Sequence, residues 1–233
     1  MFQFKQFTIE QDQTAMKVCT DACILGAYTP VQEASRVLDI GTGTGLLALM
    51  LAQRNPNAQI DAVEIESNAY FQAKKNIENS PFSAQIQVFN QAIQYFAQNK
   101  QTEYDLIISN PPFFTNHLKS SKNNKNQALH TNTLSFDDLL KTVKQLLLPN
   151  GTFVVLLPEY EMGLLQKKAE ELALFQTKKL LIKHHSAGKI FRVIAIFELE
   201  QKEFFEEELF IKNRNESYSS AFINLLKDYY LIF

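Results

Sequence analysis

Val37-Leu38-Asp39-Ile40-Gly41-Thr42-Gly43-Thr44-Gly45-Leu46 is the stretch whose reading decides the fold. Its first four residues read as a buried strand, which runs straight into glycines at positions 41, 43 and 45 and then into an apolar helical stretch over 46–54. A strand, a glycine turn and a helix N-terminus make a nucleotide-binding corner, because the missing side chains let a ligand approach the backbone amides. A tight structural turn uses glycine too, so spacing has to discriminate. The dinucleotide pattern G-x-G-x-x-G needs a glycine at position 46, where this chain has Leu46.

The alternating form G-x-G-x-G is instead the one seen in S-adenosylmethionine-dependent methyltransferases, which makes Gly41, Gly43 and Gly45 candidate cofactor residues. Glu64 ends the apolar run over 60–63, at the close of the second strand. A carboxylate there can accept hydrogen bonds from both hydroxyls of a ribose. Glu66 competes for that role and also reads as a solvated acid at a helix start. Asp39 precedes the glycines and either orders the loop or meets the cofactor's amino group through water.

A third strand end carries the candidate chemistry. The run over 104–109 empties into Asn110-Pro111-Pro112-Phe113, and two consecutive prolines forbid strand continuation and fix the backbone. An exocyclic amine on a base, or the amide of a glutamine, is a poor nucleophile because its lone pair is delocalised. If the Asn110 side-chain carbonyl and the Pro111 backbone carbonyl accept its two N–H bonds, the lone pair turns toward a methyl sulfonium. That is catalysis by positioning and electrostatics. Phe113 would stack on the planar target, a contact worth about 1 to 3 kcal/mol per base. All three motifs sit at strand carboxyl ends, where parallel sheets bind ligands.

Working outward, short β-branched runs alternate with helical stretches, which predicts an α/β fold with seven strands, at 36–40, 59–65, 85–89, 104–109, 152–157, 177–182 and 190–199. Helices are expected at 46–54, at 68–78 behind a Ser67 cap, at 137–148 and at 159–173. Ser135 with Asp138 resembles a capping box, and Pro149-Asn150-Gly151 stops the helix it opens. The segment 183–189 is too short for a crossover helix, so the last two strands pair antiparallel. The sheet is therefore mostly parallel with one antiparallel strand and helices on both faces. No linker or repeat divides the chain, so one domain over 1–233 is expected, with 1–35 ahead of a sheet core over 36–233 that ends in a hairpin and helix. The polar loop over 116–132 has the length of a functional loop.

Of 233 residues, 45% are hydrophobic and 21% charged, as in a soluble globular protein. With 23 Lys+Arg against 25 Asp+Glu, a net charge of −2, the chain does not coat nucleic acid through bulk positive charge. The distribution leaves a local basic face open. Two stretches lack acids: 112–135, with Lys119, Lys122 and Lys125, and 173–196, with Lys178, Lys179, Lys183, Lys189 and Arg192. They hold eight of the 23 cations, offset by Glu198, Glu200, Glu203, Glu206, Glu207 and Glu208. These are either a phosphate-facing surface or ordinary solvated faces. His184-His185 reads as a solvated pair, and His117 and His130 touch phosphate or cap the polar loop. No apolar run is long enough to span a membrane and the N-terminus lacks the order of a signal peptide, so a cytoplasmic location is expected. Cys19 and Cys23 have no second pair to complete a metal site and read as small buried hydrophobes.

Phe4-Lys5-Gln6-Phe7, Ala15-Met16-Lys17-Val18-Cys19-Thr20-Asp21 and Leu25-Gly26-Ala27 resemble the opening of the bacterial tRNA1(Val) adenine-37 N6-methyltransferase family. The similarity continues through the glycine loop, Ile107-Ile108-Ser109-Asn110-Pro111-Pro112, His130-Thr131, Arg192-Val193 and Asp228-Tyr229-Tyr230-Leu231, covering nearly the whole chain. The resemblance implies a Rossmann-like class I methyltransferase fold, S-adenosylmethionine as cofactor, and the anticodon arm of a valine tRNA as partner. The target would be N6 of the adenosine 3′ to the anticodon. It also implies that Lys17, Thr20 and Asp21 fold over the cofactor's methionine end. On that reading the cations of the acid-free stretches, Lys119, Lys122, Lys125, Lys183, Lys189 and Arg192, would grip stem phosphates. Two departures stand out. Where such enzymes place an acid near the cofactor adenine, this chain has Asn90-Gln91-Ala92, so Asn90, Gln91 or a backbone amide must substitute for the contact that Ala92 cannot make. Phe113 also replaces the Tyr common in adenine N6 enzymes, and Phe is frequent in guanine N2 enzymes of rRNA. Methylation of another amine, guanine N2 or glutamine, and a non-catalytic RNA-binding role on the same fold are the competing readings.

Overall fold

The computed structural model describes residues 1–14, 16–100, 102–112 and 134–233. A short hairpin of β1 (Phe2–Gln3) and β2 (Thr8–Ile9) precedes α1 (Thr20–Tyr28). Next come β3 (Arg36–Ile40), α2 (Leu46–Arg54), β4 (Gln59–Glu64), α3 (Ser67–Glu78), β5 (Ile86–Asn90), α4 (Ile93–Asn99) and β6 (Tyr104–Ser109). The chain then forms α5 (Phe136–Leu146), β7 (Leu147–Leu157), α6 (Glu159–Glu171), β8 (Phe175–Lys183), β9 (Ile190–Glu198), β10 (Phe205–Phe210) and α7 (Ser220–Leu226).

The main sheet runs in the order β10-β8-β9-β7-β6-β3-β4-β5, with β9 antiparallel to both neighbours and every other adjacent pair parallel. Alternation along the strands assigns each residue to a face. Val37, Leu106, Ile108, Val154 and Leu156 pack under α1, α2 and α7. Leu38, Ile40, Ile107, Phe153 and Val155 pack under α4, α5 and α6. Both faces of the central strands are thus covered, which is why β3 reads as a continuous apolar run. The terminal segments close over the first face: the Tyr229 hydroxyl donates to the carbonyl of Met50 at 2.9 Å, and Lys5 Nζ donates to the carbonyl of Lys227 at 2.6 Å.

The expected architecture holds, with an eighth strand in the sheet where seven were expected. The addition, β10, contains Glu206-Glu207-Glu208 and shows no apolar alternation. It forms because β8 presents Lys178, Lys179 and Lys183 along the same edge, in a register that sets Glu206 opposite Lys179. Helix α1 was hidden for the opposite reason, since Asp21 through Ala27 are all buried and leave no polar face to mark its period. Two boundaries also change. Glu66, not Ser67, caps α3, accepting from the Ala69 amide at 2.7 Å. Pro149-Asn150-Gly151 belongs to β7, where the pairing with β6 shifts register between Tyr104 and Leu106, so the proline occupies an irregularity in the ladder.

Candidate active site

The glycine loop is shaped by positive φ values of 73° at Gly41, 59° at Gly43 and 82° at Gly45. Side chains disfavour that region. At Gly45 a Cβ would also approach Ile77 Cδ1 of α3 to 3.2 Å, so this glycine brings two helices together. At Gly41 and Gly43 a Cβ would meet nothing within 4 Å, so the loop opens onto free space. Amides of Gly41 and Thr42 donate to the Val63 carbonyl at 2.9 and 3.1 Å, which clamps the loop to the end of β4.

Glu64 is held at that end, with the Gly43 amide donating to its Oε2 and the Glu66 amide to its Oε1, each at 2.9 Å. A carboxylate has about four acceptor sites. Two therefore remain for hydroxyls, while the rival Glu66 carboxylate is engaged as a helix cap. Asp39 is fully buried: its Oδ2 accepts from the Thr42 hydroxyl at 2.6 Å, and its Oδ1 has no partner among the described residues. Burial pushes its carboxyl up to about 7, and the nearby Glu64 charge adds to the rise. A bare loop face, an unsatisfied buried oxygen and a ribose-competent carboxylate fit S-adenosylmethionine.

On the adenine side, Asn90 is committed to structure. Its Nδ2 donates to the carbonyls of Glu64 and Ile65 at 2.9 and 3.2 Å, and its Oδ1 accepts from the Ser67 hydroxyl at 3.1 Å. The Gln91 amide donates to the Glu64 carbonyl, and Ala92 caps α4 with its backbone.

The Asn-Pro-Pro corner leaves β6 directly beside β3, tied there by the Ser109 hydroxyl donating to the Ile40 carbonyl at 2.9 Å. Asn110 Oδ1 is buried and accepts no hydrogen bond from the described residues. A cavity of about 420 Å³ adjoins it, lined also by Thr20, Asp21, Arg192, Tyr218 and Tyr230. Phe113 lies outside the described residues. Asp21 is held across this cavity by Arg192, whose Nε donates to its Oδ2 at 2.8 Å. Thr20 opens α1 at the same wall. Lys17 Nζ donates to the carbonyls of Gln11 and Thr14.

The methyltransferase small domain family matches residues 22–159. A tRNA1(Val) (adenine(37)-N6)-methyltransferase from Dyadobacter fermentans is 45% identical over 236 residues, spanning 100% of this chain and 98% of its own. One from Trichodesmium erythraeum is 44% identical over 232 residues, spanning 99% and 97%. The chain belongs to the tRNA1(Val) (adenine(37)-N6)-methyltransferase family. Among solved structures, a predicted O-methyltransferase from Agrobacterium tumefaciens matches with a TM-score of 0.73 over 89% of this chain and 96% of its own, at 15% identity. A methyltransferase from Pyrococcus furiosus matches at 0.59 over 84% and 90%, at 18% identity. Both show the methyltransferase fold.

In this member of the tRNA1(Val) (adenine(37)-N6)-methyltransferase family, the second basic stretch is largely internally neutralised. Lys178 and Lys179 pair with Glu207 and Glu206 at 3.0 and 3.2 Å, and Lys183 pairs with Glu208. Lys183, read from the sequence as phosphate-facing, thus has a glutamate partner on the adjacent strand. Lys189 is exposed in the hairpin loop. Lys119, Lys122, Lys125, His117 and His130 lie outside the described residues. Cys23 is a core residue, Cys19 is half-buried on the cavity wall, and burial pushes both thiols up to about 12. Such thiols are inert at neutral pH.

Sequence reading missed the family member's Asn76 and the aromatic cavity wall. Asn76 Nδ2 donates to the carbonyls of Glu10 and Thr44, bolting the N-terminal segment to the glycine loop from α3. Its signal was a buried amide on an amphipathic helix, visible only once the helix face is known. Tyr218, Phe222 and Tyr230 reach the cavity from the C-terminal segment, with no local pattern to announce it.

Proposed function

We propose that this chain transfers the methyl group of S-adenosylmethionine to N6 of adenosine 37 in the anticodon loop of tRNA1(Val). The buried Asn110 Oδ1 beside the cavity, without a partner among the described residues, carries this reading: a carbonyl oxygen withdrawn from water needs a donor, and an exocyclic amine is one. S-adenosylmethionine supplies an electrophilic methyl on sulfur. Gly41, Gly43 and Gly45 would hold it over the loop, with Glu64 on the ribose, Asp39 under the loop and Thr20 and Asp21 at its methionine end. Asn110 Oδ1 and the Pro111 carbonyl would accept the two N6–H bonds and turn the nitrogen lone pair toward the methyl. The C–N bond would form as the S–C bond breaks, and the extra proton of the methylated nitrogen would pass to water. The anticodon-loop base is unpaired, so extruding it costs less than opening a duplex.

Recognition of the valine tRNA and a cytoplasmic location are part of this proposal, supported by the names of the relatives. Replacing Asn110 with alanine is expected to lower turnover on unmodified tRNA1(Val) about 100-fold or more while S-adenosylmethionine still binds in a titration. Near-normal turnover would sink the mechanism. Because Phe113 replaces the usual Tyr, guanine N2 remains the rival target. Mass spectrometry of RNA from a deletion strain separates the two: lost N6-methyladenosine in tRNA supports the proposal, and lost N2-methylguanosine in rRNA with unchanged tRNA removes it.

A further inference from the structure

The β8–β9 hairpin ends in a stacked aromatic pair that the methyl-transfer chemistry does not use. The His184 ring lies flat on Phe191, with centroids 4.3 Å apart and planes 13° from parallel. Beneath that pair the Arg192 guanidinium sits 5.7 Å from the Phe191 ring centre, itself fixed by Asp21 and by the Phe191 carbonyl. Both rings border the same cavity as Asn110. Burial separates their positions along it: Asn110 Oδ1 is inside, whereas His184 is exposed at the rim. An isolated surface histidine gains little by lying flat. Here a second ring backs one face, and both residues line the cavity. His185 is oriented elsewhere, 3.5 Å from Glu216.

We infer that His184, backed by Phe191, is a stacking platform for the nucleobase adjoining the target adenosine. A base drawn into the Asn110 corner brings its neighbour to the rim of the cavity, and every nucleobase presents a π face to such a ring. The platform would read the single-stranded path of the RNA without reading its sequence. It serves positioning, since it touches the neighbour and not the reacting nitrogen. This inference rests on the proposed function as an RNA N-methyltransferase.

The test uses the full chain, an anticodon stem-loop RNA, and matched RNAs lacking the base on one side or the other of the target. His184→Ala is expected to raise KM for the intact RNA about 5- to 100-fold, with kcat and S-adenosylmethionine affinity kept. His184→Phe should restore the wild-type KM, and removing one neighbouring base should erase the difference between wild type and His184→Ala. An unchanged KM in His184→Ala overturns the platform, as does a raised KM that neither abasic RNA cancels or one accompanied by an equal loss of cofactor affinity. If wild-type protein leaves the intact RNA unmethylated, the proposed function falls first and the platform with it.

Discussion

At the scale of single residues, Asp39 and Asn110, like Gln53 and Gln176, each keep a buried side-chain polar atom without a partner among the described residues. Leaving such an atom unsatisfied costs about 1 to 3 kcal/mol. For Asp39 the cost depends on pH. Its carboxyl sits at about 7 in the folded chain against an ordinary 3.8, so the folded state holds that proton more tightly than the unfolded state. The resulting stabilisation is complete below about pH 4 and is lost as the pH rises through about 7. Asp39→Asn, neutral throughout and still able to accept from the Thr42 hydroxyl, should melt above the wild type at about pH 8. The gap should close toward pH 4 in thermal melts across that range. A variant no more stable than wild type at pH 8 would contradict the burial argument.

At the scale of elements, the edge formed by β8 and β10 is a charge ladder. Glu206, Glu207 and Glu208 face Lys179, Lys178 and Lys183, and Glu207 also accepts from the Tyr28 hydroxyl at 2.9 Å, which anchors the ladder to α1. Lys178 and Tyr28 hold the Glu207 carboxyl below its usual range. These side chains are partly exposed, and each such pair contributes about 0.2 to 1 kcal/mol. Replacing the three glutamates with glutamine should lower Tm by a few degrees at low ionic strength. The difference should shrink in about 1 M salt, where the Debye length falls to about 3 Å. A salt-independent loss would mean that β10 is held by packing of Leu209 and not by its charges. The ladder also protects the sheet edge, because charged strands resist pairing with another chain.

At the scale of the whole molecule, a net charge of −2 hides an uneven distribution, and under the proposed function that distribution sets how tRNA binding responds to salt. Of the eight cations in the acid-free stretches, Lys178, Lys179 and Lys183 face glutamates and Arg192 faces Asp21; counting Lys189 with Lys119, Lys122 and Lys125, which lie outside the described residues, gives four for phosphate under the proposed function. Each neutralised duplex phosphate adds about −0.9 to the slope of log K against log salt, so a slope of about −4 is expected, where all eight would give about −7. Titrations of tRNA between 50 and 200 mM salt measure it. Alanine at Lys119, Lys122 and Lys125 together should remove most of the slope, and a wild-type slope near −7 would show that the ladder opens when RNA binds.

The sequence by itself determined seven of the eight strands of the sheet, the glycine loop and the three motif-bearing strand ends. These are local: strand, turn and helix start lie within a few residues, and parallel βα units deliver Gly41, Glu64 and Asn110 to one edge whatever the rest of the chain does. Only the tertiary structure decided which charges neutralise each other and what walls the cavity. Glu206 to Glu208 look like a solvated run until the strand order places β10 beside β8. Asp21 and Arg192 are 171 positions apart, and His184 and Tyr218 reach Asn110's cavity from separate segments. Periodicity reports the backbone a residue joins. The partner of a charge or a ring depends on how sheets and helices bury their faces, which is a property of the folded chain.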